Sequence, residues 1–146
     1  MKKSGLLPFF ALVLAFSIFS SCCILSKNPV LKGTRWTAVQ EMFVADAGTM
    51  TIHHTLDFLS DKEVLVLWES YLPAHPAMRM SPDGTVDTIP ASSSESENTC
   101  TYTFKDGILT VTTQKGLSES YIYQKDGTFT RQESWGETVV YSRVKK

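Results

Sequence analysis

The chain has too few cysteines and too little excess charge for several common classes of protein. Its three cysteines cannot build the disulfide framework that staples a small secreted domain. Its 14 basic and 15 acidic residues nearly balance, which argues against a nucleic-acid partner, since such a partner requires a clustered basic face. It also lacks a Gly-x-Ser-x-Gly nucleophile elbow and a glycine-rich phosphate loop. We therefore expect no nucleic-acid partner, no cofactor and no catalytic residue set.

After residue 33 no segment shows an apolar helical stripe with capping residues, and the dominant period is two. Ile52, His54, Leu56 and Phe58 alternate with polar neighbours, which is the pattern of a half-buried strand. Asp-Gly pairs such as Asp106-Gly107 separate the runs and favour tight hairpins, because glycine takes a positive φ without steric cost.

The alternating runs predict eight to ten strands joined in sequence. They lie at 35–45, 49–59, 63–71, 77–81, 85–89, 99–104, 108–113, 118–124, 128–134 and 138–144. A meander of this length removes its exposed edges by closing on itself, so we expect an all-β, antiparallel up-and-down barrel. An open β-sandwich is the alternative.

Residues 72–98 break this rhythm with four prolines, and proline cannot donate a hydrogen bond to a central strand. A short hairpin fits around Asp83-Gly84, while 92–97 reads as a solvated, mobile stretch. The segment is either a lid or binding loop, or a plain surface loop.

The N-terminus has the layout of a secretory signal: Lys2-Lys3, an apolar run from Leu6 to Phe19, and small residues before Cys22. Phe19-Ser20-Ser21-Cys22 resembles the lipobox of bacterial lipoproteins, with Phe19 where leucine is usual. The resemblance implies that Cys22 carries the lipid and anchors the protein in a membrane. An uncleaved anchor is the alternative, although the run is shorter than the roughly 20 residues that span a bilayer.

These signals divide the chain into a signal peptide (1–21), a membrane-proximal tether (22–32) and a β-domain (33–146). The residue after the anchor is Cys23, and residues 23–28 contain no acidic side chain. By resemblance to lipoprotein sorting in Gram-negative bacteria, we expect the outer membrane, with the domain facing the periplasm.

Leu31-Lys32-Gly33-Thr34-Arg35-Trp36 resembles the first strand of small lipocalin-like lipoproteins of Bacteroidetes. Two residues separate Gly33 from Trp36, so the Gly-x-Trp motif of the wider lipocalin group is not met, and META-type domains are a rival. The resemblance implies a barrel plugged by Trp36, with Arg143 of the last strand stacked on it. A solvated Arg143 is the alternative.

The candidate ligand-lining residues are inward-phased side chains: His54, Phe58, Trp68 and Tyr102. His54 could equally be a core histidine. His53 and His54 should point to opposite faces of one strand, so we expect no metal site. Phe129 lies on a strand that we expect to be peripheral. Cys100 should be a small buried hydrophobe, although a bridge to Cys23 stays open.

Two functions fit this sequence. The first is a binding protein that holds a small apolar ligand or a peptide in or on the barrel. The second is a structural or interaction lipoprotein with a filled barrel that docks another envelope component. An enclosed apolar cavity of roughly 300 Å³ or more would favour the first, and a packed interior the second.

Overall fold

The computed structural model describes residues 28–80 and 82–145 of the chain. The predicted signal peptide (1–21), the predicted acylation site Cys22 and the start of the predicted tether, including Cys23, lie outside the described residues. Within the described part, no helix is long and apolar enough to cross a membrane.

The described residues form ten β-strands. They are β1 (Arg35–Val44), β2 (Gly48–Phe58), β3 (Glu63–Leu72), β4 (His75–Met80), β5 (Val86–Ile89), β6 (Ser92–Lys105), β7 (Ile108–Thr112), β8 (Ser118–Tyr123), β9 (Phe129–Gln132) and β10 (Thr138–Arg143).

Eight of the strands close an antiparallel barrel in the order β1-β10-β9-β8-β7-β6-β3-β2. The predicted up-and-down barrel is confirmed, and the open sandwich is excluded because β1 pairs with both β2 and β10. The predicted hairpin at Asp106-Gly107 is also confirmed. Both residues have positive φ angles, 53° and 80°, as a two-residue turn that follows the twist of its strands requires.

The segment 72–98 is where the sequence prediction needs correction. The strands β4 and β5 pair only with each other and form a ribbon outside the barrel, in keeping with the prolines. In contrast, the stretch predicted to be mobile at 92–97 is the first half of β6 and pairs with β3 from Leu67 to Leu72. Its side chains are exposed on both faces, so the sequence carries no apolar alternation there.

The barrel has two unlike ends. The closed end carries the turns at 59–62, 106–107 and 124–128 and is crossed by residues 31–34. The open end carries the hairpin turns at 45–47, 113–117 and 133–137 and the β4–β5 ribbon. Leu31, which the predicted tether includes, is buried in the core, and the backbone N–H of Gly33 donates to the Phe58 carbonyl at 2.8 Å.

Aromatic side chains fill the closed end. Trp36 is 1% exposed and packs edge-on against Phe129 at 4.8 Å and Tyr123 at 6.4 Å between ring centres. The expectation that Phe129 is peripheral is therefore wrong, since it is fully buried against Trp36. β9 is only four residues long, so its sequence contains too few alternating positions to predict that Phe129 lies in the core.

Candidate functional site

The interior of the open end combines buried polar side chains with aromatic and aliphatic ones. Because successive side chains of a strand point to opposite faces, four residues near the open end point into the barrel. They are Gln40 of β1, His54 of β2, Trp68 of β3 and Arg131 of β9. Gln40, His54 and Arg131 are the buried polar residues of this region. Buried polar groups cost free energy unless they are paired, so their partners define the site.

Arg131 is the most heavily partnered of these residues. Its Nη1 donates to Glu119 Oε2 at 2.8 Å and its Nε donates to Glu133 Oε1 at 3.0 Å, with a further ion pair from Nη2 to Glu133. The guanidinium carbon lies 5.1 Å from the ring centre of Trp68 and 5.8 Å from that of Tyr121. A charged side chain that is 7% exposed is thus held by two carboxylates and two aromatic rings.

A second chain of polar contacts lies behind Trp68. His54 Nε2 is 3.3 Å from Gln40 Oε1, and Gln40 Nε2 donates to Glu137 Oε2 at 2.7 Å. The His54 ring packs edge-on against Trp68 at 4.4 Å between centres. His54 and Gln40 therefore hold the position of the Trp68 ring from inside the barrel.

His54 is neutral near pH 7. Burial lowers its pKa from 6.5 to about 4, and the positive charge of Arg131 acts in the same direction. Its Nδ1 is buried and has no hydrogen-bond partner among the described residues, which further disfavours the charged ring. The residue is a buried support rather than a proton carrier at neutral pH.

Two cavities meet at Trp68 and Glu119. The larger, about 520 Å³, lies along β8 and β9 and is lined by Trp68, Glu119, Arg131 and Glu133 together with Ser118, Ser120, Ile122, Thr130, Gln132 and Thr138. The smaller, about 250 Å³, reaches into the barrel and is lined by Val66, Cys100 and Val111 together with Trp68, Glu119, Ser96, Asn98 and Thr113. The smaller cavity is mainly apolar, the larger is about evenly polar and apolar, and both are open to solvent rather than enclosed.

The larger cavity opens through the barrel wall as well as at its mouth. β8 and β9 are paired at Ile122–Thr130 and Tyr123–Phe129, next to the closed end. Beyond these pairs the cavity is lined both by Glu119, on the inner face of β8, and by Ser118 and Ser120 on its outer face. A ligand can therefore enter between these two strands.

The four predicted ligand-lining residues separate into two groups. Trp68 lines both cavities, and His54 contacts its ring. Phe58 and Tyr102 instead pack against each other at 4.9 Å in the core toward the closed end and line neither cavity. Both are inward-facing as predicted, but the apolar layers of the closed end cover them.

Arg143 lies opposite Trp36 in the strand register but is exposed at the end of β10. Within the described residues, the arginine stacked on aromatic rings is Arg131, at the other end of the barrel. The predicted stacking of Arg143 on Trp36 is therefore wrong, and the alternative of a solvated Arg143 is confirmed. Arg131 lies two positions after the apolar Phe129 on the same strand, and this spacing in the sequence indicates that both side chains point into the barrel.

The sequence reasoning also missed Glu119, Gln40 and Glu133. Glu119 shares the phase of Tyr121 and Tyr123 on β8, and this alternation could have placed it inside the barrel. Cys100, predicted as a small buried hydrophobe, is a buried free thiol whose pKa is raised by burial. In the described part of the chain, no group of three or more His, Cys, Asp or Glu side chains could hold a metal ion.

The open half of the molecule is acidic. Ten of the 15 acidic residues lie there, counting the β4–β5 ribbon: Glu41, Asp46, Glu69, Asp83, Asp87, Glu95, Glu97, Glu119, Glu133 and Glu137. Lys115 and Arg131 are the basic residues of this half whose side chains the structure describes. Both cavities therefore sit in a negative field, which attracts cations and repels anions.

A comparison of the chain with protein-family models finds no match, and comparisons with curated proteins and with solved structures find none either.

Proposed function

We propose that this protein is a lipid-anchored, non-enzymatic binding protein of the bacterial envelope that holds a small ligand at the open end of its barrel. The observation that carries the proposal is the pair of cavities that meet at Trp68 and Glu119, at one end of a barrel whose other end is filled. Binding pockets typically combine an apolar wall with a few polar groups that fix the ligand's orientation.

The lining favours an amphipathic ligand over a wholly apolar one. The smaller cavity accepts an apolar group against Val66, Val111 and the Trp68 ring. The larger cavity presents two carboxylates and one guanidinium, with Glu119 half-exposed. Because the carboxylates outnumber the guanidinium, the polar part of the ligand should be a cation or a group rich in hydrogen-bond donors.

The runner-up is a lipoprotein that docks another envelope component through its rim. The observation that favours it is a set of large apolar side chains exposed around the open end, at or beside its hairpin turns: Phe43, Leu117 and Trp135. Exposed apolar groups at the edge of a polar surface are typical of protein contacts.

The three tryptophans of the chain allow one experiment to separate these readings. In a ¹⁵N-labelled sample titrated with an extract of the organism's own envelope, the Trp68 indole N–H should shift, because it lies at the cavities. A shift of Trp135 alone would favour the rim and contradict the cavity. Trp36 is buried at the closed end and serves as the internal control.

For location, we propose attachment through acyl chains on Cys22 in the outer membrane, with the domain in the periplasm. The support is the lipobox-like sequence and the absence of acidic residues directly after the anchor. Protease treatment of intact cells should then spare the barrel, while the same treatment of broken cells should digest it. Digestion in intact cells would place the barrel on the cell surface instead.

A further inference from the structure

The basic residues of the barrel are collected at the end where the chain enters from the tether. Five exposed ones form no salt bridge within the described residues: Lys62, Lys105, Lys125, Arg143 and Lys145. Lys32 and Arg35 lie at the same end and pair with Asp61 and Asp57. These seven basic side chains outnumber the five acidic ones at this end, whereas the open half is strongly acidic.

Apolar side chains are exposed among these basic residues. Val30, Leu59 and Val144 are all exposed around the closed end, within three residues of Lys32, Lys62 and Lys145 in the sequence. Basic and apolar side chains side by side suit the headgroup layer of a bilayer, where apolar groups enter the interface and lysines meet anionic lipids.

The length of the tether points to the same end. Eight residues separate Cys22 from the buried Leu31, so the two Cα atoms are at most about 30 Å apart when the tether is fully extended. β1 has 10 residues, so at the usual rise and tilt of barrel strands the barrel is about 25 Å tall. Turning the open end toward the bilayer would require a nearly extended tether along the whole barrel.

We propose that the closed end is a membrane-facing surface that rests on anionic lipid headgroups and directs the cavities away from the bilayer. This inference rests on the proposed lipid anchor, which supplies the membrane. The residues that carry it are Lys62, Lys105, Lys125, Arg143 and Lys145, together with Val30 and Leu59. The acidic open half supports the same orientation, because an anionic surface repels it.

The orientation can be measured on the acylated protein in vesicles that contain lipids with a nitroxide quencher on the headgroup. A fluorophore is attached at Lys125→Cys or at Lys115→Cys, each in a Cys23→Ser background. Lys115 is the matched control, because it is an exposed turn lysine at the open end. Quenching should be strong at position 125 and weak at 115. Equal quenching, as for a barrel lying on its side, or the reverse order would overturn the proposal.

The charge contribution is tested without the anchor, so that it fails separately from the proposed acylation. The mature chain (residues 22–146) carrying Cys22→Ser, which lacks the apolar run of the predicted signal peptide, is mixed with phosphatidylcholine vesicles, with or without phosphatidylglycerol. Lys62→Glu combined with Lys105→Glu should reduce binding to the anionic vesicles at least about tenfold, while Lys115→Glu should leave it unchanged. Circular dichroism confirms that the variants are folded. Equal binding by the double variant and the Lys115→Glu control would overturn the role of these lysines.

Discussion

The guanidinium carbon of Arg131 lies 5.1 Å from the centre of the Trp68 ring, and this contact joins the two walls of the open end. Arg131 comes from β9 and Trp68 from β3, on different sides of the barrel. Glu119 and Glu133 complete the cluster from the β8 and β9–β10 segments. These four side chains occupy the level at which a filled barrel would have an apolar layer. They therefore keep the open end polar and accessible.

Removing the Arg131 charge should destabilise the fold strongly. In Arg131→Met, Glu133, whose side chain is 12% exposed, is left without its cation, which costs about 3–5 kcal/mol of unfolding free energy. Urea denaturation at neutral pH measures the loss. Arg143→Met is the control, since Arg143 is exposed and forms no salt bridge in the described part of the chain, and it should change stability little. Equal losses in the two variants would mean that the cluster does not hold the barrel together.

The stability of the barrel should fall between about pH 6.5 and pH 4, and His54 should account for part of the fall. The pKa of His54 is about 4 in the folded barrel and 6.5 in the unfolded chain. Between these two pH values the unfolded chain binds a proton at His54 and the folded chain does not. The contribution of His54 to the unfolding free energy is fully present above pH 6.5. It is lost as the pH falls toward 4, and the loss is at most about 3 kcal/mol.

A pair of histidine variants isolates that contribution. His54→Gln should flatten the pH dependence of the unfolding free energy in this window, whereas His53→Gln should not, because His53 is exposed. Thermal or urea unfolding at a series of pH values gives the two slopes. Parallel slopes for wild type and His54→Gln would show that the ring titrates normally in the folded barrel.

Trp36→Ala and Phe129→Ala should be similarly damaging. Both side chains are buried at the closed end and pack edge-on at 4.8 Å, so each truncation leaves a cavity and costs about 3–5 kcal/mol. Because the two rings are in contact, the double variant should cost less than the sum of the two single losses. Additive losses in urea denaturation would argue against the contact.

Replacing the proposed acylation site should abolish lipid labelling of the protein. In Cys22→Ser there is no thiol at position 22 to accept a lipid, so labelling with a fatty-acid analogue should disappear. Cys23→Ser should retain the label. Undiminished label on Cys22→Ser would refute the assignment of the lipobox.

The barrel was predictable from sequence because each strand with one face in the core shows its period. Ile52 to Phe58 on β2 is such a run, and Asp106-Gly107 marks a turn by its backbone requirement. The first half of β6 was not predictable, because Ser92 to Glu97 are exposed on both faces and follow no apolar period.

The site was predictable only in part. Trp68 could be found because it is aromatic and inward-phased. Arg131 and Glu119 were overlooked because a charged residue in a strand usually faces solvent, and only their spacing from Phe129 and Tyr121 indicates the interior. Which end of the barrel stays open depends on how all eight strands are packed. No single strand carries that information.

The most direct test of the proposed binding function is native mass spectrometry of the protein purified from its own envelope. Wild-type protein should carry an added mass from a bound small molecule that is lost on gentle activation. Trp68→Ala should lose that mass, because Trp68 lines both cavities, while Tyr71→Ala on the outward face of the same strand should keep it. Wild-type protein without any added mass, or an added mass that persists in Trp68→Ala, would contradict the proposal.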